Sequence, residues 1–309
     1  MPRRHVYGPV LSRRFGLSLG IDLLPGKVCS YDCGYCQIGP TTELTMARQP
    51  FAPPAEILAE VADALAQGPL PDVITLAGRG EPTLYRELEE LLAGLRRLSS
   101  LPIALITNGS LLGDPEVARQ IRTVDLLVPS LDAGDEETFR RVNRPHPGLS
   151  FDQMVAGLRG IVASHPGEIR LEVMLCAGLN DDDVSLAHLA RLLDGLPVAR
   201  IEINTPVRPV AARGIQPCSP ARLEEARRRF GDRAVVLGSY TGRAATAAAP
   251  RELESDLREL LGRHPCRATE LGQALGVTDA TLQPLLAELQ QRGELVAEPR
   301  GEAIYYRIP

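Results

Sequence analysis

Tryptophan is absent from this chain of 309 residues, and aromatic residues together make up only 4%. The core must therefore be assembled from Leu, Ala, Val and Ile. Long apolar runs are missing as well. None approaches the roughly 20 residues needed to cross a bilayer, so no membrane partner is expected. The N-terminal MPRRHVYG is basic but leads into no apolar segment, which is not the pattern of a secretory signal. Lysine is reduced to one residue, Lys27, and the other basic side chains are arginines. The six cysteines show no disulfide-like pattern, which fits a reducing cytoplasm. A net charge of −5 gives no general attraction for nucleic acid, although a local basic patch is compatible with it. What is present is 44% apolar and 24% charged, the composition of a soluble globular protein. The length makes two domains plausible.

Half of the cysteines are gathered in one stretch. Cys29, Cys33 and Cys36 are spaced C-x3-C-x2-C, while Cys176, Cys218 and Cys266 occur singly. Thiolates are soft ligands that select iron–sulfur clusters, zinc or copper(I). Three of them fill only part of a tetrahedral site, and an open position is what a catalytic site keeps. Tyr35 places an aromatic ring beside this loop. A zinc site completed by His5, His146 or His264 is the competing reading.

The C-x3-C-x-aromatic-C pattern follows an apolar strand, Ser18 to Leu24, and resembles the cluster loop of the radical S-adenosylmethionine superfamily. The longer string VYGPVLSRRFGLSLGIDLLPGKVCSYDCGYCQIG is similar to a subgroup described as iron–sulfur oxidoreductases related to wybutosine synthesis. The resemblance implies a [4Fe–4S] cluster held by Cys29, Cys33 and Cys36. It also implies S-adenosylmethionine on the fourth iron, and cleavage to a 5′-deoxyadenosyl radical. That chemistry belongs to the cofactor, and the protein supplies binding and orientation. An electron donor such as flavodoxin or ferredoxin is implied too.

Apolar, β-branched runs recur at Ser18–Leu24, Val73–Ala77, Ile103–Thr107, Leu126–Ser130, Ile169–Leu175 and Ala199–Asn204. Helix-like stretches lie between them, such as Ala55–Gln67, Glu87–Leu98, Asp114–Arg122, Glu136–Val142, Phe151–His165 and Val184–Leu193. This alternation argues an α/β fold with a mostly parallel sheet. Six such units suit an open sheet or a partial (β/α)6 barrel, and the resemblance favours the barrel. Residues 1–16 read as an irregular arm, with Gly8-Pro9 as a turn signal. In that arm, Arg13 and Arg14 are suited to a carboxylate or phosphate.

Barrels of this kind carry their chemistry at the C-terminal ends of the strands. The second strand ends in Gly78-Arg79-Gly80-Glu81-Pro82. Glycines there let the backbone approach a ligand, and the segment resembles the Gly-Gly-Glu-Pro that holds the amino group of S-adenosylmethionine, with Arg79 departing from the pattern. The third strand ends in Thr107-Asn108-Gly109 and the fourth in Ser130-Leu131-Asp132. Ser130 and Asp132, two residues apart, are expected to share a strand face and to suit a ribose diol. Thr107 and Asn108 are weaker candidates of the same kind, since strand-end turns use these residues anyway. Asn204, with Glu202 on the same face of the sixth strand, is expected to line the cleft. Cys176 reads as a buried small apolar residue. Lys27 is a candidate either to neutralise a carboxylate or, with a lowered pKa, to form a Schiff base.

A barrel domain is expected over 1–245 and a smaller one over 246–309, joined by a linker-like stretch at 242–250. In the second, helices at Glu252–Arg263, Ala268–Leu275 and Asp279–Arg292, the last capped by Asp279, precede a hairpin of Glu294–Glu298 and Ala303–Ile308. This looks like a winged helix-turn-helix, a fold that does not fix function. Residues 251–309 hold seven arginines against ten acids, which argues against DNA as a partner. A peptide- or protein-binding module, or a lid over the cleft, suits it as well. Two functional classes are thus in play. One is a radical enzyme acting on an unidentified substrate, RNA or peptide among the options. The alternative is a metal-sensing, winged-helix DNA-binding regulator.

Overall fold

The computed structural model describes residues 4–238, 253–262, 265–301 and 303–309. The expected linker at 242–250, the domain boundary at 245/246 and His264 lie outside the described residues.

The barrel region runs β1 (Val6–Ser12), β2 (Gly16–Ile21), β3 (Val28–Cys29), β4 (Glu43–Leu44), α1 (Pro54–Gln67), β5 (Val73–Leu76), α2 (Leu88–Leu98), β6 (Ile103–Thr107), α3 (Pro115–Gln120), β7 (Leu126–Pro129), α4 (Glu136–Asn143), α5 (Phe151–Ser164), β8 (Glu168–Met174), β9 (Cys176–Ala177), α6 (Asp183–Leu193), β10 (Arg200–Asn204), β11 (Gln216–Pro217), α7 (Pro220–Phe230) and β12 (Ala234–Val236). One eight-stranded sheet has the order β1-β2-β5-β6-β7-β8-β10-β12. Every neighbouring pair is parallel except the first. The expected strand–helix alternation is therefore present, and the sheet is that of a partial barrel.

Local sequence explains the elements. Leu88, Leu91, Leu92 and Leu95 of α2 recur at helical spacing and are all buried. Asp114 caps α3 from just before Pro115, as its sequence predicts, accepting from the Glu116 amide. Ser150 and Gln153 form a reciprocal capping box at α5. The central strands β5, β6 and β7 are mostly buried on both faces, as parallel strands in the middle of a covered sheet are.

The N-terminal arm departs from expectation. Residues Val6–Ser12 are not irregular but form β1, antiparallel to β2. The ladder shifts register between Tyr7 and Val10, where Gly8 has φ +87° and Pro9 donates no amide. Proline is tolerated at such an edge-strand bulge.

The C-terminal unit comprises α8 (Leu253–Leu261), β13 (Cys266–Arg267), α9 (Ala268–Leu275), α10 (Asp279–Gln291), β14 (Val296–Arg300) and β15 (Ala303–Arg307). Its strands form a sheet ordered β13-β15-β14. Thr278, not Asp279, is the residue before α10, and Pro299 and Arg300 belong to β14 rather than to the turn. The unit has its own core, in which Leu257, Leu271, Leu282, Leu286 and Leu289 meet Tyr306. Val10 of β1 packs against that core. Arg208, after β10, pairs with Glu270 of α9 at 3.2 Å. No helix among the described residues is long and apolar enough to cross a membrane.

Candidate functional site

The cysteine loop leaves β3 and is held by backbone bonds from several elements. The Glu81 amide donates to the Val28 carbonyl at 3.1 Å, and the amides of Asp32 and Gly34 donate to the end of α4, at Asn143 and Val142. Tyr31 forms an isolated bridge with Pro145 and stacks edge-on against Phe139, centroids 5.4 Å apart. Arg144, at φ +45°, turns the chain out of α4 to make that bridge.

Each of the three sulfurs is approached by a side-chain nitrogen donor. Asn108 Nδ2 is 3.5 Å from Cys29 Sγ, Asn143 Nδ2 is 3.7 Å from Cys33 Sγ, and Lys27 Nζ is 2.9 Å from Cys36 Sγ. Burial pushes the Cys29 thiol up to about 11, against the pull of Lys27. Burial works to lower the Lys27 ammonium, but Cys36 and its two companions outweigh it, and the net direction is upward.

Glu81 follows the second parallel strand, β5, and is buried. Its Oε1 accepts from Thr83 N at 3.0 Å, Thr83 Oγ1 at 2.6 Å and Thr107 Oγ1 at 2.6 Å, and its Oε2 accepts from Asn108 N at 2.7 Å. Burial raises its pKa while these donors oppose the rise. A carboxylate offers about four lone-pair sites, so only Oε2 keeps capacity for a further cation. Gly80 is required by packing: a Cβ there would stand 1.9 Å from the Val28 carbonyl oxygen. A Cβ at Gly78 would stand 2.2 Å from Asp22 Oδ1. Arg79 Nε pairs with buried Asp22 at 2.7 Å, which explains a side chain where the resembling motif has none.

These groups open onto a cavity of about 750 Å³. Lys27, the three cysteines, Tyr35, Gly78, Gly80, Glu81, Thr107, Asn108, Ser130 and Asn204 all contribute to its wall. Arg267, Glu270 and Tyr305 of the C-terminal unit also line it.

Residues 23–190 match the sequence profile of the Radical SAM superfamily. The chain belongs to the radical SAM superfamily. A protein of Brachyspira hyodysenteriae named GTPase Obg is 30% identical over 99% of this chain, but the chain spans only 45% of that relative's length. A UPF0026 protein of Methanocaldococcus jannaschii is 29% identical, covering 97% of this chain and 94% of its own. The crystal structure of a radical SAM methyltransferase from Sphaerobacter thermophilus shares the fold with TM-score 0.52 at 22% identity, over 71% of this chain and 65% of its own.

Radical SAM proteins are enzymes, and the superfamily uses a [4Fe–4S] cluster and S-adenosylmethionine. The residues present fit that cluster. The donor set is three thiols, and each sulfur has an N–H donor of the kind that tunes cluster potential. Among the described residues, no three of His, Cys, Asp and Glu converge on a point suited to a single metal ion. The ring Nδ1 of His5 lies 3.2 Å from the Asp22 carbonyl, and that of His146 accepts from the Gly148 amide.

One expected residue has a different place. β7 ends at Pro129, so the two-residue period does not carry through to position 132. Ser130 faces the cavity, but Asp132 turns into the protein and is not on its wall. Asp132 instead accepts from the Tyr35 hydroxyl, from Asn143 Nδ2 at 2.7 Å and from the Met174 amide at 2.9 Å. Burial lifts its pKa to about 6 against these donors. Cys176 is fully buried, as expected, but belongs to the short β9 rather than to β8.

One residue escaped the sequence reading, and another was read only in part. Asn143 is buried and joins Asp132 to Cys33, yet its only signal was its place in an Asn-Arg-Pro turn. Arg14 was noted for anions, but its partners are protein carboxylates: Glu202 at 2.8 Å and Glu172, which Asn204 Nδ2 also reaches at 2.8 Å.

Proposed function

We propose that this chain is a radical enzyme that cleaves S-adenosylmethionine reductively at a cluster held by Cys29, Cys33 and Cys36, and directs the resulting radical to a substrate in the adjoining cavity. The observation that carries this reading is that three thiols, each with its own N–H donor, share one cavity wall with Gly80 and Glu81. When bound, the cluster and S-adenosylmethionine supply the one-electron cleavage that makes a 5′-deoxyadenosyl radical. The chain's own residues do the rest. Lys27, Asn108 and Asn143 place positive charge or N–H dipoles against the sulfurs. Oε2 of Glu81 keeps a lone pair for the amino group of S-adenosylmethionine. Ser130 and Asn204 line the cavity beyond. Tyr35, tied to Asp132, keeps the last turn of the cysteine loop fixed.

For Lys27, its distance from Cys36 and the upward direction of its pKa support a charge-balancing role rather than a Schiff base, which needs a lowered value. A low-potential donor such as flavodoxin or ferredoxin supplies the electron. The order of helices and strands in the C-terminal unit supports a winged-helix arrangement. Its contribution to the cavity wall favours a role in the enzyme over DNA reading.

The test is anaerobic reconstitution with iron and sulfide, followed by dithionite and S-adenosylmethionine and assay of 5′-deoxyadenosine. About four irons per chain and 5′-deoxyadenosine formation are expected, both lost in Cys33→Ala. Stoichiometric zinc and no cleavage would refute the reading.

A further inference from the structure

The cavity wall has two parts of different character. The cysteine loop occupies one. At the other, three arginines from three parts of the chain gather around one carboxylate. Arg208 NH2 is 3.2 Å from Glu270 Oε1, and Arg267 NH2 is 3.4 Å from the same oxygen. The second oxygen of Glu270 is taken by the Arg267 amide at 2.9 Å. Arg13, from the turn between β1 and β2, donates to the neutral Asn204 Oδ1 at 3.1 Å and makes no ion pair among the described residues. Arg267 Nε is buried and has no hydrogen-bond partner among the described residues.

The other cations of the wall are matched. Arg14 has Glu172 and Glu202, Arg79 has Asp22, and Lys27 has Cys36. Three guanidiniums against one carboxylate leave surplus positive charge in this part alone. Arg13 is exposed to solvent at the cavity rim, and partial desolvation together with the nearby Arg14 and Arg208 charges lowers its pKa. Guanidinium recognises carboxylate and phosphate with paired, directional bonds.

We infer that Arg13, Arg208 and Arg267 form a subsite for the anionic group of the substrate, a small molecule carrying a phosphate or carboxylate, and that the C-terminal unit completes the substrate site by supplying Arg267 and Glu270. The inference rests on the proposed function in calling the ligand a substrate. The charge arrangement itself stands without it.

The test is isothermal titration of the full chain with inorganic pyrophosphate and, separately, malonate, against chloride at matched ionic strength. It is run on the reconstituted protein with saturating S-adenosylmethionine and on the protein before reconstitution. The second arm reads anion binding even if the radical reading fails. Saturable binding is expected, weakened about tenfold or more in Arg13→Gln and in Arg267→Gln, because each removes a charge-assisted contact. Arg13 lies at the exposed rim, so its variant should keep the wild-type melting temperature. Preference for pyrophosphate would assign a phosphorylated substrate, and preference for malonate a carboxylated one. Three results would overturn the inference: no saturable binding of either anion, binding undiminished in both variants but lost in Lys27→Met, or binding abolished by S-adenosylmethionine. The last would assign the arginines to the cofactor's own carboxylate.

Discussion

At position 80 the space for a side chain is already filled by the Val28 carbonyl, 1.9 Å from where a Cβ would stand. Val28 directly precedes the first cysteine, so any side chain at 80 pushes on the cysteine loop. Gly80→Ala should destabilise the fold by about 1–3 kcal/mol, the usual cost of overpacking. It should also lower iron content after reconstitution, and a melting curve with an iron assay checks both. Asp132 makes a different, pH-dependent prediction. Its folded pKa of about 6 lies above the ordinary aspartate value of 3.8. A raised folded pKa means that the stability it contributes is fully present below about pH 4 and is lost as pH rises through 6. Asp132→Asn, which carries no charge at either pH, should lose less stability than wild type between pH 4 and pH 7. The difference is on the order of 3 kcal/mol at most. Urea unfolding of the unreconstituted protein across that range decides it, and parallel pH profiles would show that Asp132 is not the titrating group.

At the level of elements, the parallel strands were readable because a strand buried on both faces is a short β-branched run, and six of them alternate with helical spacing. β1 was not readable. Its Gly8-Pro9 gives a turn signal, and only pairing with β2 makes it a strand. The cysteines and the Gly-Glu-Pro segment could be read as well, since their spacing is local. What could not be read is where strand-end side chains turn once the pleat stops, as with Asp132, and which distant groups meet. Arg14 is such a case. It reaches from the β1–β2 turn to Glu172 of β8 and Glu202 of β10, strands near the opposite edge of the sheet. It therefore bridges the open side of the partial barrel, where no ladder closes it. Removing one partner of a buried ion pair leaves the other charges uncompensated. Arg14→Met should cost about 3–5 kcal/mol by urea unfolding. Adding Glu202→Gln to that variant should recover part of the loss. If it recovers nothing, the bridge is not what holds the two edges.

For the whole molecule, the side-chain donors to the cysteine sulfurs and the C-terminal part of the cavity wall come from different parts of the chain. Lys27, Asn108 and Asn143, which reach the sulfurs, all precede position 144. Arg267, Glu270 and Tyr305, which close the cavity, belong to the C-terminal unit. That unit has its own core and meets the barrel through Val10 and the Arg208–Glu270 pair. A chain ending at residue 238 should therefore fold and still bind iron at the level of the full chain, with Val10 and the cavity open to solvent. Without the C-terminal part of the wall, solvent and chelator reach the cysteine loop directly. Iron release to a chelator should be faster than from the full chain, while iron content before challenge is unchanged. Equal release rates would mean that the C-terminal unit does not enclose the site. Loss of iron at the outset would mean that the cysteine loop depends on contacts beyond position 238, and the division of labour drawn from these distances would be wrong.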